Sequence, residues 1–108
     1  MIESIFKLEK YRATGSKVFT GRDKGKYVRE KSNFDQIEKD SDKVIFIIPD
    51  NLFSINPSFF EELLINVVLK LGKKGFFEKF EFKNSGVYKY EKPLMDAVDR
   101  ILRENHAL

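Results

Sequence analysis

Between Asn56 and Leu71 the apolar residues Phe59, Phe60, Leu63, Leu64, Val67, Val68 and Leu71 recur at spacings of three and four, painting one broad face of a helix. Asn56 suits the N-cap with Pro57 at the first helical position. Alternatively Ser58 is the cap, because Ser58 and Glu61 have capping-box spacing. Gly72 stands where the helix would stop. Upstream, Lys43 to Ile48 (KVIFII) is a continuous apolar run of strand length, joined to the helix by PDNLFSI. A buried strand feeding a sharply started helix is the centre of a small α/β domain.

The flanking patterns are weaker. Ile2, Ile5, Phe6 and Leu8 suggest a first strand, Thr14-Gly15-Ser16 a turn, and Lys17 to Thr20 a short second strand, together compatible with an N-terminal hairpin. Thr20, with Asp23 three residues on, predicts the start of a helix running to about Phe34, with a narrow apolar stripe. Lys39 to Asp42 reads as a polar loop before the central strand, and Gly72 to Gly75 as a loop after the central helix. Glu78 to Lys83 largely alternates, as a half-exposed strand does. Asn84-Ser85-Gly86 is a turn, Val87 to Tyr90 an edge strand or an irregular link, and Pro93 the first position of a last helix that buries Leu94, Ala97, Val98, Ile101 and Leu102. Strands alternating with helices imply right-handed crossovers. The expectation is one domain over residues 1–108, an α/β fold with a mixed, partly parallel sheet of four to five strands backed by helices.

Composition narrows the chemistry more than the fold. With no Cys, disulfides, thiolate metal sites and cysteine nucleophiles are all excluded, which fits a cytoplasmic protein. The opening MIESIFKLEKY lacks the apolar stretch of a signal peptide, and every apolar run is far shorter than the ~20 residues of a membrane span. A net charge of +3, with both signs interspersed, is a weaker positive footprint than a nucleic-acid binder shows. His106 is the only histidine and sits at the C-terminal end, a poor centre for a triad or a metal site. No cluster of His, Asp or Glu has ligand spacing, and no cofactor is expected.

Two motifs carry a resemblance. Thr20-Gly21-Arg22-Asp23-Lys24-Gly25-Lys26, running on to Arg29, resembles the small-residue, Arg, x, x, Gly helix opening of the STAS-like domain family of unknown function. Ser54-Ile55-Asn56-Pro57-Ser58-Phe59-Phe60-Glu61-Glu62-Leu63 is similar to that family's apolar, x, Pro, Ser, Phe, x, x, Glu, Leu stretch. With KVIFII and the strand around Phe80, the resemblance covers about residues 16–103. The family is related to the STAS domains of anti-sigma-factor antagonists. The resemblance implies a cytoplasmic, non-enzymatic regulator whose partner is a histidine-kinase-type ATPase or an anti-sigma-like protein. In antagonists a serine at the helix start after the central strand is phosphorylated. Ser58 falls at that position, flanked by Asn56, Pro57 and Phe59 where antagonists carry Asp, Ser and Gly.

Read from the residues, Ser58 is either a phosphoacceptor or a helix cap. Phe53, Asn56, Ser58, Phe59 and Glu62 would form a docking surface around it. Arg22, Lys24, Lys26 and Arg29 surround two glycines and would hold an anion, or else form a solvated face; the spacing is not that of a P-loop. Glu61 and Glu62 are adjacent, so on a helix they diverge by about 100° and make no acid–base pair. Among the phenylalanines of the 76–82 segment, Phe80 and Phe82 belong in the core and Phe76 or Phe77 at the surface. The leading function is a non-enzymatic protein–protein interaction module. The alternatives are a nucleotide- or nucleic-acid-binding adaptor using Arg22, Lys24, Lys26, Lys73 and Lys74, and a subunit that self-associates through an exposed strand edge.

Overall fold

The computed structural model describes residues 1–105. In chain order the elements are β1 (Glu3–Lys7), a 3-10 turn (Leu8–Tyr11), β2 (Val18–Phe19), α1 (Arg22–Ser32), α2 (Phe34–Asp40), β3 (Lys43–Ile48), β4 (Ser54–Ile55), α3 (Pro57–Lys79), β5 (Phe80–Asn84) and α4 (Glu91–Asn105). His106 lies outside the described residues.

The fold is α/β, with every paired strand parallel: β1, β3 and β5 form one sheet in that order, and β2 and β4 form a separate two-stranded one. The expected single mixed sheet and the N-terminal hairpin are therefore corrected. β1 and β2 each pair with a strand that comes later in the chain, because an isolated hairpin is marginal whereas pairing with β3 and β4 buries Phe6 and Phe19.

The strand order has a topological consequence. The chain leaves β1, passes through α1 and α2, and returns as β3 on one side; it leaves β3, passes through α3, and returns as β5 on the same side again. Two right-handed crossovers that progress in one direction put both helical connections on one face. Burial agrees. The rows Phe6–Phe46–Phe82 and Ser4–Val44–Phe80 face the helices, with Phe46 centred 4.9 Å from Phe6 and 5.0 Å from Phe82. The opposite rows, Glu3–Lys43, Ile5–Ile45–Glu81 and Lys7–Ile47–Lys83, form a face on which Ile5 is 63% exposed and Ile45 only 7%. Helices α1 and α4 both pack on α3, so the helical layer is itself stacked around one central helix.

Four helix boundaries differ from expectation. Gly72, at φ 75° and ψ 171°, is non-helical and stops the first helical stretch of α3 as expected, but a second stretch resumes at once to Lys79, so residues 73–75 are not a loop and β5 starts at Phe80. Phe76 drives this: fully buried, it stacks on Phe80 at 4.7 Å. Gly21, not Thr20, caps α1, which ends at Asn33 in left-handed conformation (φ 58°). A second helix, α2, then forms through Asp40 around buried Phe34 and takes in Lys39 and Asp40, expected in a loop. Residues 87–90 are an irregular link, and α4 begins at Glu91, two residues before Pro93.

Gly25 sets the distance between α1 and α3. A Cβ there would lie 2.5 Å from the Phe59 carbonyl oxygen and 2.9 Å from Glu62 Cβ, so only glycine permits this approach.

Candidate functional site

The start of α3 is built by Asn56, whose extended backbone (φ −76°, ψ 140°) brings its side-chain oxygen over the first turn. Oδ1 accepts from the Ser58 backbone N–H at 2.9 Å and from the Ser58 hydroxyl at 2.8 Å. Asn56 is thus the cap, and Ser58 is a donor to it; the Ser58–Glu61 capping box does not form because Glu61 points elsewhere. Ahead of the cap, Phe53 is 79% exposed while its backbone N–H donates to the Lys17 carbonyl at 2.7 Å. Of the expected docking residues, Phe53 and Asn56 are exposed and Ser58 is half-buried. Phe59 is not available: it is fully buried, its ring 5.2 Å from that of Phe19. Glu62 faces α1, where Arg29 donates to its carbonyl and, at 3.4 Å, to its carboxylate.

The basic residues of α1 divide into two sets. Arg22 donates to Glu61 Oε2 at 2.9 Å and lies 3.9 Å from Glu62, while Arg100 of α4 donates to Glu61 Oε1 at 3.0 Å. Glu61 is only 3% exposed, so its two arginines clamp α1 and α4 onto the central helix through one buried carboxylate. Lys24 lies over the Tyr27 ring at 5.1 Å, and Lys26 is exposed. Lys73 pairs with Asp99 at 2.9 Å, and Lys74 is exposed. The anion-binding set of Arg22, Lys24, Lys26 and Arg29 thus shares a helix without converging, its two arginines being occupied by glutamates.

Glu38 is the second buried carboxylate, held by Lys79 at 2.5 Å and Lys70 at 2.9 Å. Burial pushes its pKa up, but the hydrogen bonds and charges of Lys79 and Lys70 outweigh that and hold it below the ordinary value. Glu81, on the open face, is also lowered, chiefly by its hydrogen bond with Lys43 at 3.0 Å.

A locus the sequence did not signal is Arg12. Its guanidinium donates to Glu9 Oε1 (2.8 and 3.1 Å) and to the carbonyls of Ser16 (3.2 Å), Asp50 (2.5 Å) and Asn51 (3.1 Å). It thereby ties the β1–β2 loop to the β3–β4 loop, where Asn51 takes a left-handed turn (φ 53°). Two open clefts flank this tie, of about 430 Å³ (with Glu9, Arg12, Lys17 and Asp50) and about 340 Å³ (with Lys7, Ile47, Asp50 and Ser85). They lie beyond the carboxyl ends of the parallel strands, where open α/β sheets place ligands. Phe53 projects from the β3–β4 loop that Arg12 pins.

Comparison with protein-family models, with curated proteins and with solved structures finds no match for this chain. Among the described residues no group of three or more His, Asp or Glu is placed to hold a metal ion, and no helix is long and apolar enough to cross a membrane.

Proposed function

We propose that this chain is a STAS-like, non-enzymatic protein–protein interaction module that works in the cytoplasm, its docking surface centred on the loop before α3 and on the start of that helix. The observation that carries the reading is Phe53: a large aromatic side chain, 79% exposed, on a loop that Arg12 holds through two hydrogen bonds, to the carbonyls of Asp50 and Asn51. An apolar anchor on a rigid support loses little entropy on docking, which is the profile of an interface hot spot. Ser58 is the control point. Phosphorylation would replace the hydrogen that Asn56 Oδ1 now accepts with a dianion, set at the positive end of the α3 dipole. The surface presented beside Phe53 would change charge without unfolding the helix. A histidine-kinase-type ATPase or an anti-sigma-like regulator is the partner class that fits such a switch.

The nucleotide- or nucleic-acid-binding alternative has less support, because Arg22, Arg29 and Lys73 already pair with carboxylates. The test is capture of partners from host lysate with ATP present, using wild type, Phe53→Asp and Ser58→Asp. A partner held by wild type and lost by both variants is expected; the same proteins on all three baits would move the docking surface elsewhere.

A further inference from the structure

The free edge of β1 is self-complementary. Lys43 N–H donates to the Ile2 carbonyl at 3.2 Å, and β1 pairs with β3 in the register Glu3↔Lys43 through Lys7↔Ile47. In a parallel ladder, alternate residues turn both backbone groups to one neighbour. Ser4 and Phe6 therefore bond to β3, while Glu3 and Ile5 direct their N–H and C=O groups, and Lys7 its N–H, outward to the edge where the three-stranded sheet ends; the Lys7 carbonyl, at the N-cap of the 3-10 turn, takes that turn's first bond. The same three residues carry their side chains on the open face, where Ile5 is 63% exposed.

We propose that a second copy of this chain pairs along that edge, antiparallel, about a two-fold axis through Ile5. In this register Ile5 stands opposite Ile5 of the other copy, exchanging both backbone hydrogen bonds with it. Glu3 stands opposite Lys7 at each end, so the two outer pairs bring opposite charges together. Both backbone groups of Ile5 gain partners, the Lys7 N–H gains the Glu3 carbonyl of the other copy, the most exposed strand isoleucine is covered, and no charge faces its like. A shift of the register by two residues loses this, since it sets Ile5 against a charge and breaks the Glu3–Lys7 match. The three-stranded sheet becomes a continuous six-stranded one, its helices on one face in both halves. This inference is independent of the Phe53 surface, which lies on the loops and not on this edge.

Strands of five residues bury less than the roughly 1,000 Å² of a stable interface, so the dimer is a concentration-dependent one. The test is sedimentation velocity from about 1 µM to about 500 µM, with any affinity tag at the C-terminus. Wild type should shift from monomer to dimer across that range. Glu3→Lys alone and Lys7→Glu alone should each stay monomeric, because each puts like charges together at both ends of the pair. An equimolar mixture of the two variants should dimerise again, since the mixed pair sets lysine opposite glutamate twice. Neither side chain is in the core, and circular dichroism confirms that each variant is folded. Backbone amide exchange at Ile5 and Lys7 should slow at the high concentration. The proposal is overturned by a wild type that is monomeric throughout, by a dimer indifferent to either single variant, or by a mixture that remains monomeric.

Discussion

The two faces of the three-stranded sheet share a backbone and a register yet differ in almost everything else. One face stacks Phe6, Phe46 and Phe82 in a row beneath α2 and α3, Phe6 against Phe34 and Phe46 against Phe60. The other, one residue out of phase, carries Ile5, Ile45 and Glu81, with Lys43 reaching across to Glu81 at 3.0 Å. Parallel sheets are ordinarily covered on both sides, because successive crossovers wind both ways. Here the winding never reverses, so one face holds the core and the other is left for ion pairs and association. Side-chain alternation is common to both faces; connection order decides which one is buried.

The largest expected effect lies on the core face. Phe46→Ala should lose about 3–5 kcal/mol in urea denaturation, the usual cost of emptying a phenylalanine site in a packed core. A loss below about 1 kcal/mol would mean that the row collapses onto the cavity and that the two faces differ less than their burial suggests.

The carboxylates give an intermediate contrast. A carboxyl whose pKa is lower in the folded than in the unfolded state stabilises the protein above the unfolded pKa, and that contribution is lost as pH falls through the folded pKa. For Glu38 the loss should begin as pH drops below about 4.5. Glu38→Gln should therefore be less stable than wild type at neutral pH, with the gap narrowing in acid; a gap independent of pH would break the assignment. Glu81 is lowered by the same kind of partner but sits at the surface, so Glu81→Gln should change little and its effect should fade with added salt.

The smallest effect belongs to Ile5. At a dilution that keeps the protein monomeric, Ile5→Ser should shift stability by no more than about 0.5 kcal/mol, as for a surface position. A larger loss would show the open face to be part of the monomer's own core.

Legibility followed the range of the interaction. The start of α3 was readable because Asn56, Pro57 and the first turn interact within a few residues. The last helix was readable because its apolar residues fall on one stripe, and Leu94, Ala97, Val98 and Ile101 are buried as that stripe requires. The resumption was not: Gly72 does interrupt the helix, and only the burial of Phe76 against Phe80 shows why a second helical stretch follows it. Ser58 and Glu61 have capping spacing, yet Glu61 turns to Arg22 and Arg100, each 39 residues away in the chain. The Arg12 tie had no local signal, since its acceptors are mostly backbone carbonyls, which every residue carries.

By itself, then, the sequence determined the α/β class, the central strand and helix, and the chemistry that is excluded, because propensity, capping and periodicity act over a few residues. Tertiary structure alone decided that all paired strands run parallel, that one sheet face is open, and that the acidic residues of α3 occupy the arginines of its neighbours. Those outcomes depend on which distant segments meet. A short apolar run such as β1 is equally compatible with a hairpin or a parallel ladder until β3 is in place beside it.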